Sequence, residues 1–298
     1  MQSRIFWGRW LGIAVVASTT IIMAACGGND EPASPPTAVT PAPAPSPAPA
    51  PSPAPAPAPA APGTLRGSVN DALNGAGLSG VQVSTGAAST VTDANGAYTI
   101  GTGTGTLVIS FRKPGYAEQT KVNADLNNSG DSSFVNASML PFAASTVLAG
   151  TAAQTVTVAN STAAVGLPAD GLRRADGSAA QGAITVNLTP INPAVNVNVM
   201  PGTLVTLLNG APVPIESFGA LNVTILDATG SELSLRSGQT ATVRIPAVTR
   251  GTALPATIPL FRFNRTTGQW VEEGSAALVG SGANAFFQGT VTDRKSVV

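Results

Sequence analysis

The side chains able to do chemistry are few and scattered in this chain of 298 residues. It has no histidine, one cysteine (Cys26), and 15 basic against 15 acidic residues. Without imidazole there is no Ser-His or Cys-His nucleophile pair, no imidazole general base and no His-ligated metal. One cysteine allows neither an intrachain disulfide nor a thiolate zinc cage. A Ser-Lys nucleophile would have to use Lys113 or Lys121, which stand in strand-and-turn context. A glycosidase-type carboxylate pair needs no histidine. The acids are dispersed, however, and the adjacent Glu272 and Glu273 should point to opposite faces of a strand. Glu216 and Arg244, each in a β-rich stretch, read as a structural ion pair or rim contact, with a ligand-binding pair as the alternative. Phe218 and Trp270 read as core residues ahead of sugar-stacking platforms. Asp93 and Asn95 could ligate calcium, but their run lacks the remaining oxygen donors of a loop site, so a turn is the better reading. The chain is therefore expected not to be an enzyme and to use no cofactor or metal, and no catalytic or ligand-binding residue is assigned.

The single thiol gains meaning from its neighbours. Arg4 and Arg9 give a positive leader, and Leu11 to Ala25 form an apolar core interrupted only by Gly12, Ser18, Thr19 and Thr20. The segment closes on small residues, the pattern of an export signal over residues 1–25. Its apolar run is shorter than the about 20 residues a spanning helix needs. Met23-Ala24-Ala25-Cys26-Gly27 resembles the lipobox of bacterial lipoproteins, in which the cysteine becomes the acylated first residue of the mature chain. The resemblance implies lipidation at Cys26 and a membrane partner held through that anchor. Two or three acyl chains anchor stably, whereas one binds only marginally. Gly27 after the cysteine resembles the pattern sorted to the outer membrane, so the expected location is the bacterial cell envelope.

Between Pro32 and Pro62 there are 14 prolines in 31 positions, mostly in alternation with alanine. Proline fixes φ and removes the amide donor, so neither helix nor sheet ladder can form. The segment is expected to be an extended polyproline spacer with a reach of about 90–100 Å.

Past Gly63 the chain turns to short β-rich runs. Strands are predicted at 65–69, 81–84, 89–92, 97–100, 106–111, 119–122 and 133–140. Asn74-Gly75, Ser79-Gly80, Asp93-Ala94-Asn95-Gly96 and Pro114-Gly115 punctuate them. Several short strands without an amphipathic helix point to a β-sandwich. Gly67-x-Val69, Leu78-x-Gly80-Val81-x-Val83 and Thr92-Asp93-x-Asn95-Gly96-x-Tyr98-x-Ile100 carry a family likeness. So do Leu107-x-Ile109-x-Phe111 and Lys113-x-Gly115-Tyr116. Together they resemble the carboxypeptidase regulatory-like family, a seven-stranded sandwich similar to transthyretin. The resemblance implies an accessory module, similar in fold to some carbohydrate-binding sandwiches. By period two, Tyr98 and Ile100 share the core face of their strand.

A second β-rich stretch follows, with strands predicted at 154–158, 163–167, 184–188, 204–208, 221–226, 241–245, 257–263, 270–273 and 286–292. Hairpin turns are expected at Asp227-Ala228-Thr229-Gly230 and at Asn264-Arg265-Thr266-Thr267-Gly268. Pro190, Pro193, Pro201, Pro212 and Pro214 argue against continuous central strands in the middle. Val165-x-Leu167-Pro168-Ala169, Glu216-Ser217-Phe218-Gly219-Ala220-Leu221, Thr240 to Pro246 and Trp270-Val271-Glu272-Glu273-Gly274 resemble bacterial relatives of a domain of cartilage intermediate layer proteins. The Glu-Ser-Phe-Gly-Ala run is the most distinctive part of that resemblance, which brings no catalytic residues with it. After Gly289-Thr290-Val291-Thr292, the hexapeptide Asp293 to Val298 resembles a translated sequencing adapter, so the second module is expected to be truncated.

The expected fold is all-β: two β-sandwich domains behind a signal peptide and a Pro/Ala-rich disordered linker. The expected boundaries are 1–25 for the signal, 26–63 for the lipidated cysteine and linker, 64–142 and 143–292 for the sandwiches, and 293–298 for the adapter-like tail. Without Arg4, Arg9, Asp293, Arg294 and Lys295, the count becomes 11 basic to 14 acidic residues. That mild acidity argues against nucleic acid as a partner. Three roles fit: interaction or adhesion with an envelope or extracellular protein, glycan binding, or an accessory region of a longer enzyme.

Overall fold

The computed structural model describes residues 62–249, 251 and 253–292. The signal segment, nearly all of the Pro/Ala-rich linker and the adapter-like tail lie outside them. The described chain is almost entirely strand and turn, as its composition predicts.

The first module holds β1 (Gly63–Asp71), β2 (Gln82–Thr85), β3 (Ala88–Val91), β4 (Ala97–Thr102), β5 (Gly105–Arg112), β6 (Gln119–Leu126), β7 (Ser132–Phe134) and β8 (Ala137–Met139). One sheet runs β4-β1-β7, with β8 also on β1; the other runs β3-β2-β5-β6. Alternation decides which side chains enter. Tyr98, Ile100 and Thr102 of β4 are buried, while Ala97, Thr99 and Gly101 face out. Leu65, Val69, Val83, Ile100, Ile109 and Phe111 meet between the sheets. Each such side chain contributes about 1.5–3 kcal/mol on burial. Tyr98 reaches through this core, donates from its hydroxyl to the Val135 carbonyl at 2.7 Å, and meets the Phe111 ring edge-on.

The stretch predicted as one strand over 133–140 is divided at Val135–Asn136. There the Asn136 side-chain oxygen accepts the Ser68 amide at 2.9 Å, replacing a ladder bond. The turn at Asp93 is built as its residues predict. The Asp93 carboxylate accepts the amides of Asn95 and Ala97, each at 2.9 Å. Gly96 has φ +81°, and a Cβ on it would lie 2.4 Å from the Val69 carbonyl oxygen.

The second module comprises β9 (Ala144–Val147), β10 (Gln154–Thr157), β11 (Ala164–Leu167), β12 (Leu172–Arg174), β13 (Thr185–Ile191), β14 (Val205–Leu208) and β15 (Ala211–Pro214). It continues with β16 (Ala220–Leu226), β17 (Leu233–Leu235), β18 (Ala241–Pro246), β19 (Thr257–Asn264), β20 (Gln269–Val279) and β21 (Phe286–Val291). The larger sheet runs β10-β11-β18-β21-β20-β14-β15, with β19 paired to β20; β16-β13-β9 faces it, and β12-β17 forms a ribbon. Val165, Leu188, Leu221, Val243, Ile245 and Phe287 are part of the core they share.

The prolines explain where the strand prediction is incomplete. Pro212 and Pro214 lie in β15, an edge strand, where a missing donor costs no ladder bond. Pro190 lies in β13 beyond the last residue paired to β9, so that part of the strand has a neighbour on one side only. β20 runs on to Val279 instead of stopping at Glu273, with a register shift opposite Leu260 and Phe261.

The two modules pack into one compact unit. Ala72 and Leu140 of the first module pack against Phe263, Trp270 and Met200 of the second. The buried Gln119 donates to the Val199 carbonyl at 2.9 Å, and the Gly202 amide donates to the Thr120 carbonyl at 2.8 Å. Glu118 accepts from Arg265 at 2.7 Å and pairs with Arg112 at 2.9 Å; Arg265 also reaches Glu232 at 3.0 Å.

Candidate functional site

Cys26, the one residue assigned a chemical role from sequence, lies outside the described residues. What the structure assembles instead is a cleft in the second module. On the side of β20 away from β19, Trp270 pairs with β14 and residues 276–279 pair with β21. Among the described residues, Val271–Ser275 have no ladder partner on that side, and the sheet is split there. The β14–β15 hairpin stands at one edge of the split. It is held to β20 at Thr206, whose hydroxyl donates to the Trp270 carbonyl at 2.8 Å. The turn at Asn209-Gly210 has both residues at positive φ, +51° and +81°, which suits a two-residue hairpin.

The cleft has a volume of about 520 Å³, within the range of small-molecule sites. Leu204, Leu207, Ile258 and Leu260 give it an aliphatic lining, and Phe218, Phe261 and Trp270 give it three aromatic rings. Leu207 and its neighbour Leu208 on the hairpin are 46% and 60% exposed, a high value for leucine. Glu216 and Glu272 are the charged residues of the lining, and both are exposed. Neither has an ion-pair partner among the described residues.

Local chemistry shapes this wall. The Ser217 hydroxyl donates to the Gly219 carbonyl at 3.1 Å, tightening the turn. Gly219 has φ +138°, and any side chain there would strike the Pro246 carbonyl oxygen at 2.5 Å. The Glu-Ser-Phe-Gly-Ala run therefore bends against β18 and offers Glu216 and Phe218 to the cleft. Opposite, period two places Trp270 and Glu272 on one face of β20. Glu273 turns away and accepts the Thr292 amide at 2.6 Å. Trp270 is 4% exposed and meets Phe263 edge-on, and its indole N–H has no hydrogen-bond partner among the described residues.

Glu216 and Arg244 are not brought together. Arg244 projects from the outer face of β18, where its guanidinium donates to Gln288 at 3.0 Å and lies 5.2 Å over the Phe286 ring. The two lysines are spent on main-chain carbonyls. Lys113 donates to Ser79 at 2.7 Å, and Lys121 donates to Asn198 at 2.6 Å and Met200 at 3.2 Å. Burial at the module contact pushes the Lys121 amine down to about 8.

Sequence reasoning placed Asp227 in a hairpin turn but missed that its carboxylate is enclosed, with no side-chain exposure. Burial alone would raise its pKa, but the opposing bonds win and hold it well below the usual carboxylate range. They come from the Gln181 amide, the Thr229 hydroxyl and amide, and Arg174. Its role is to fix the turn between β16 and β17.

Sequence reasoning also missed Phe134, which is 75% exposed on β7. In register it lies beside Arg66 of β1, which in turn pairs with Thr99 of β4. Cross-strand partners share a face, so an aromatic ring, a guanidinium and a hydroxyl stand together on the outer sheet surface. The strand pattern around Ser133 could have placed Phe134 outside, had its face been assigned.

Fold and cleft together describe an all-β sandwich pair with an apolar, acid-rimmed cleft. The model of the carboxypeptidase regulatory-like domain matches residues 64–160, which covers β1 to β8 and continues through β10. Among curated proteins, none matches this chain. Two solved structures are similar over 80% of it. One, from Bacteroides uniformis, is provisionally described as a carbohydrate-binding protein; it is 12% identical, covered over 98% of its length, with a TM-score of 0.22. The other is a DUF3823 family protein from Parabacteroides merdae, 9% identical, covered over 99%, with a TM-score of 0.21. Likenesses this distant carry no argument about ligand.

Proposed function

We propose that this chain is a non-catalytic lipoprotein of the bacterial cell envelope, anchored through Cys26 in the outer membrane. A Pro/Ala spacer holds a pair of packed β-sandwich modules away from the bilayer, the second similar to the domain of cartilage intermediate layer proteins. The pair binds a ligand in the cleft. The observation that carries this reading is the convergence of Glu216, Phe218 and Trp270, from distant parts of the sequence, on one apolar cleft. The anchor is tested by metabolic labelling with a palmitate analogue in a bacterium with two membranes. Wild type should take up label and fractionate with the outer membrane; a Cys26→Ala variant that still takes up label removes the lipoprotein assignment.

A second reading, glycan binding by the first module, is favoured by the exposed Phe134 beside Arg66 and Thr99. Sugars stack on exposed aromatic rings and take hydrogen bonds from flanking polar groups. A glycan array of the whole chain should then give signals that Phe134→Ala abolishes. Signals unchanged by that substitution would exclude this face as a glycan site.

A further inference from the structure

Resting on the reading of the cleft as a ligand site, we infer that its ligand is an organic cation with an alkyl body, of the quaternary or methylated ammonium class. Three features of the lining point there. Its charged side chains are Glu216 and Glu272, and among the described residues no lysine or arginine lines it. Its three aromatic residues, Phe218, Phe261 and Trp270, are the ring type whose negative faces attract desolvated cations. Its remaining wall is mostly aliphatic, with Thr206, Ser217 and Gln269 as its polar members, and extends onto the exposed Leu207 of the hairpin.

The same lining and its flanking hairpin weigh against other ligand classes. An anionic amphiphile would set like charges against two carboxylates with no cation among the described lining residues to offset them. A neutral sugar could bond Glu216, Glu272 and Gln269 but would leave its other hydroxyls facing leucine and isoleucine, and buried unpaired hydroxyls are costly. A peptide strand added on the outer edge of the hairpin would meet Pro212 and Pro214 of β15, which remove two donors. A cation with an alkyl chain matches the carboxylates, the rings and the aliphatic wall together. The ammonium sits among rings and carboxylates without needing a hydrogen bond, and the chain covers the aliphatic wall.

The site carries its own reporter. The chain has three tryptophans, Trp7, Trp10 and Trp270, so substituting Trp7→Phe and Trp10→Phe leaves the cleft residue as the sole indole. That chain is titrated, following Trp270 emission, with octyltrimethylammonium, 1-octanol and 1-octanesulfonate. The ammonium should bind about tenfold more tightly than the alcohol, a difference of about 1.4 kcal/mol, and the sulfonate more weakly than both. Glu216→Gln together with Glu272→Gln should bring ammonium and alcohol to near parity. Both residues are exposed, so the fold should tolerate the change. Equal binding of alcohol and ammonium to the unsubstituted cleft overturns the inferred ligand class while leaving the cleft a binding site. No change in Trp270 emission with any of the three overturns the reading of the cleft itself.

Discussion

Replacing Gly268 by alanine tests how the two modules are joined. Gly268 closes the β19–β20 turn at φ +70°, and a Cβ there would lie 2.5 Å from Val122 Cγ2 and 3.1 Å from Val108 Cγ2 of the first module. Two costs add. An alanine held in the left-handed region loses about 1–2 kcal/mol. Forcing a methyl group into packed valines loses about 1–3 kcal/mol more. Gly230 is the control, because it has φ +78° and a methyl group on it would meet nothing within 4 Å; Gly230→Ala should show the backbone cost alone. Urea unfolding followed by Trp270 emission, in the chain with Trp7 and Trp10 replaced by phenylalanine, measures both. Gly268→Ala should lose about 1–3 kcal/mol more than Gly230→Ala. Adding Val122→Ala should recover part of that excess, appearing as a coupling energy in the double-mutant cycle. Equal losses at the two glycines, with no coupling to Val122, would show that the turn does not press on the first module.

Other expectations follow from charges in defined places. Asp227 has a folded pKa below its unfolded one, so its stabilisation is complete above the ordinary carboxylate range and fades as pH falls through and below about 4. Asp227→Asn should lower the melting temperature at neutral pH and flatten the loss seen on acidification. Lys121 has the opposite linkage: between pH about 8 and about 10 the unfolded chain binds the proton that the folded amine has released. Stability should therefore rise over that window in wild type and not in Lys121→Met, as measured by denaturation midpoints. Glu118 is 10% exposed between Arg112 and Arg265, so Glu118→Ala leaves the enclosed Arg265 short of a partner. It should cost about 2–4 kcal/mol, whereas Arg112→Ala, with a side chain 52% exposed, should cost under about 1 kcal/mol in equilibrium unfolding.

Most strands were legible because their signals are local. The Asp93 and Asn264 turns, the alternation of β4 and β18, and the hydrophobic runs of β5 and β13 can each be read from a few neighbouring residues. What escaped the sequence depends on tertiary context. β15 was hidden because proline forbids only a central strand, and edge position is a property of the whole sheet. β17 and β12 are three residues each, too short for periodicity. The cleft was half visible. The Glu216–Ala220 run and Trp270 stood out, but neither their meeting nor the role of Phe261, Leu204 and β14 follows from spacing. Arg244 shows the converse: residue type suggested a partner in Glu216, and alternation along β18 puts it on the other face of the sheet. The module contact was illegible for a similar reason. Gln119 and Lys121 look like ordinary polar strand residues until the loop at Asn198–Gly202 brings carbonyls to them.

A crystal structure of the chain grown with octyltrimethylammonium tests the central claim most directly. The account predicts the ammonium group among Phe218, Phe261 and Trp270, near Glu216 and Glu272, with the alkyl chain running along Leu204 and Leu207. An empty cleft with the amphiphile bound elsewhere, on the exposed Phe134 for instance, would contradict it.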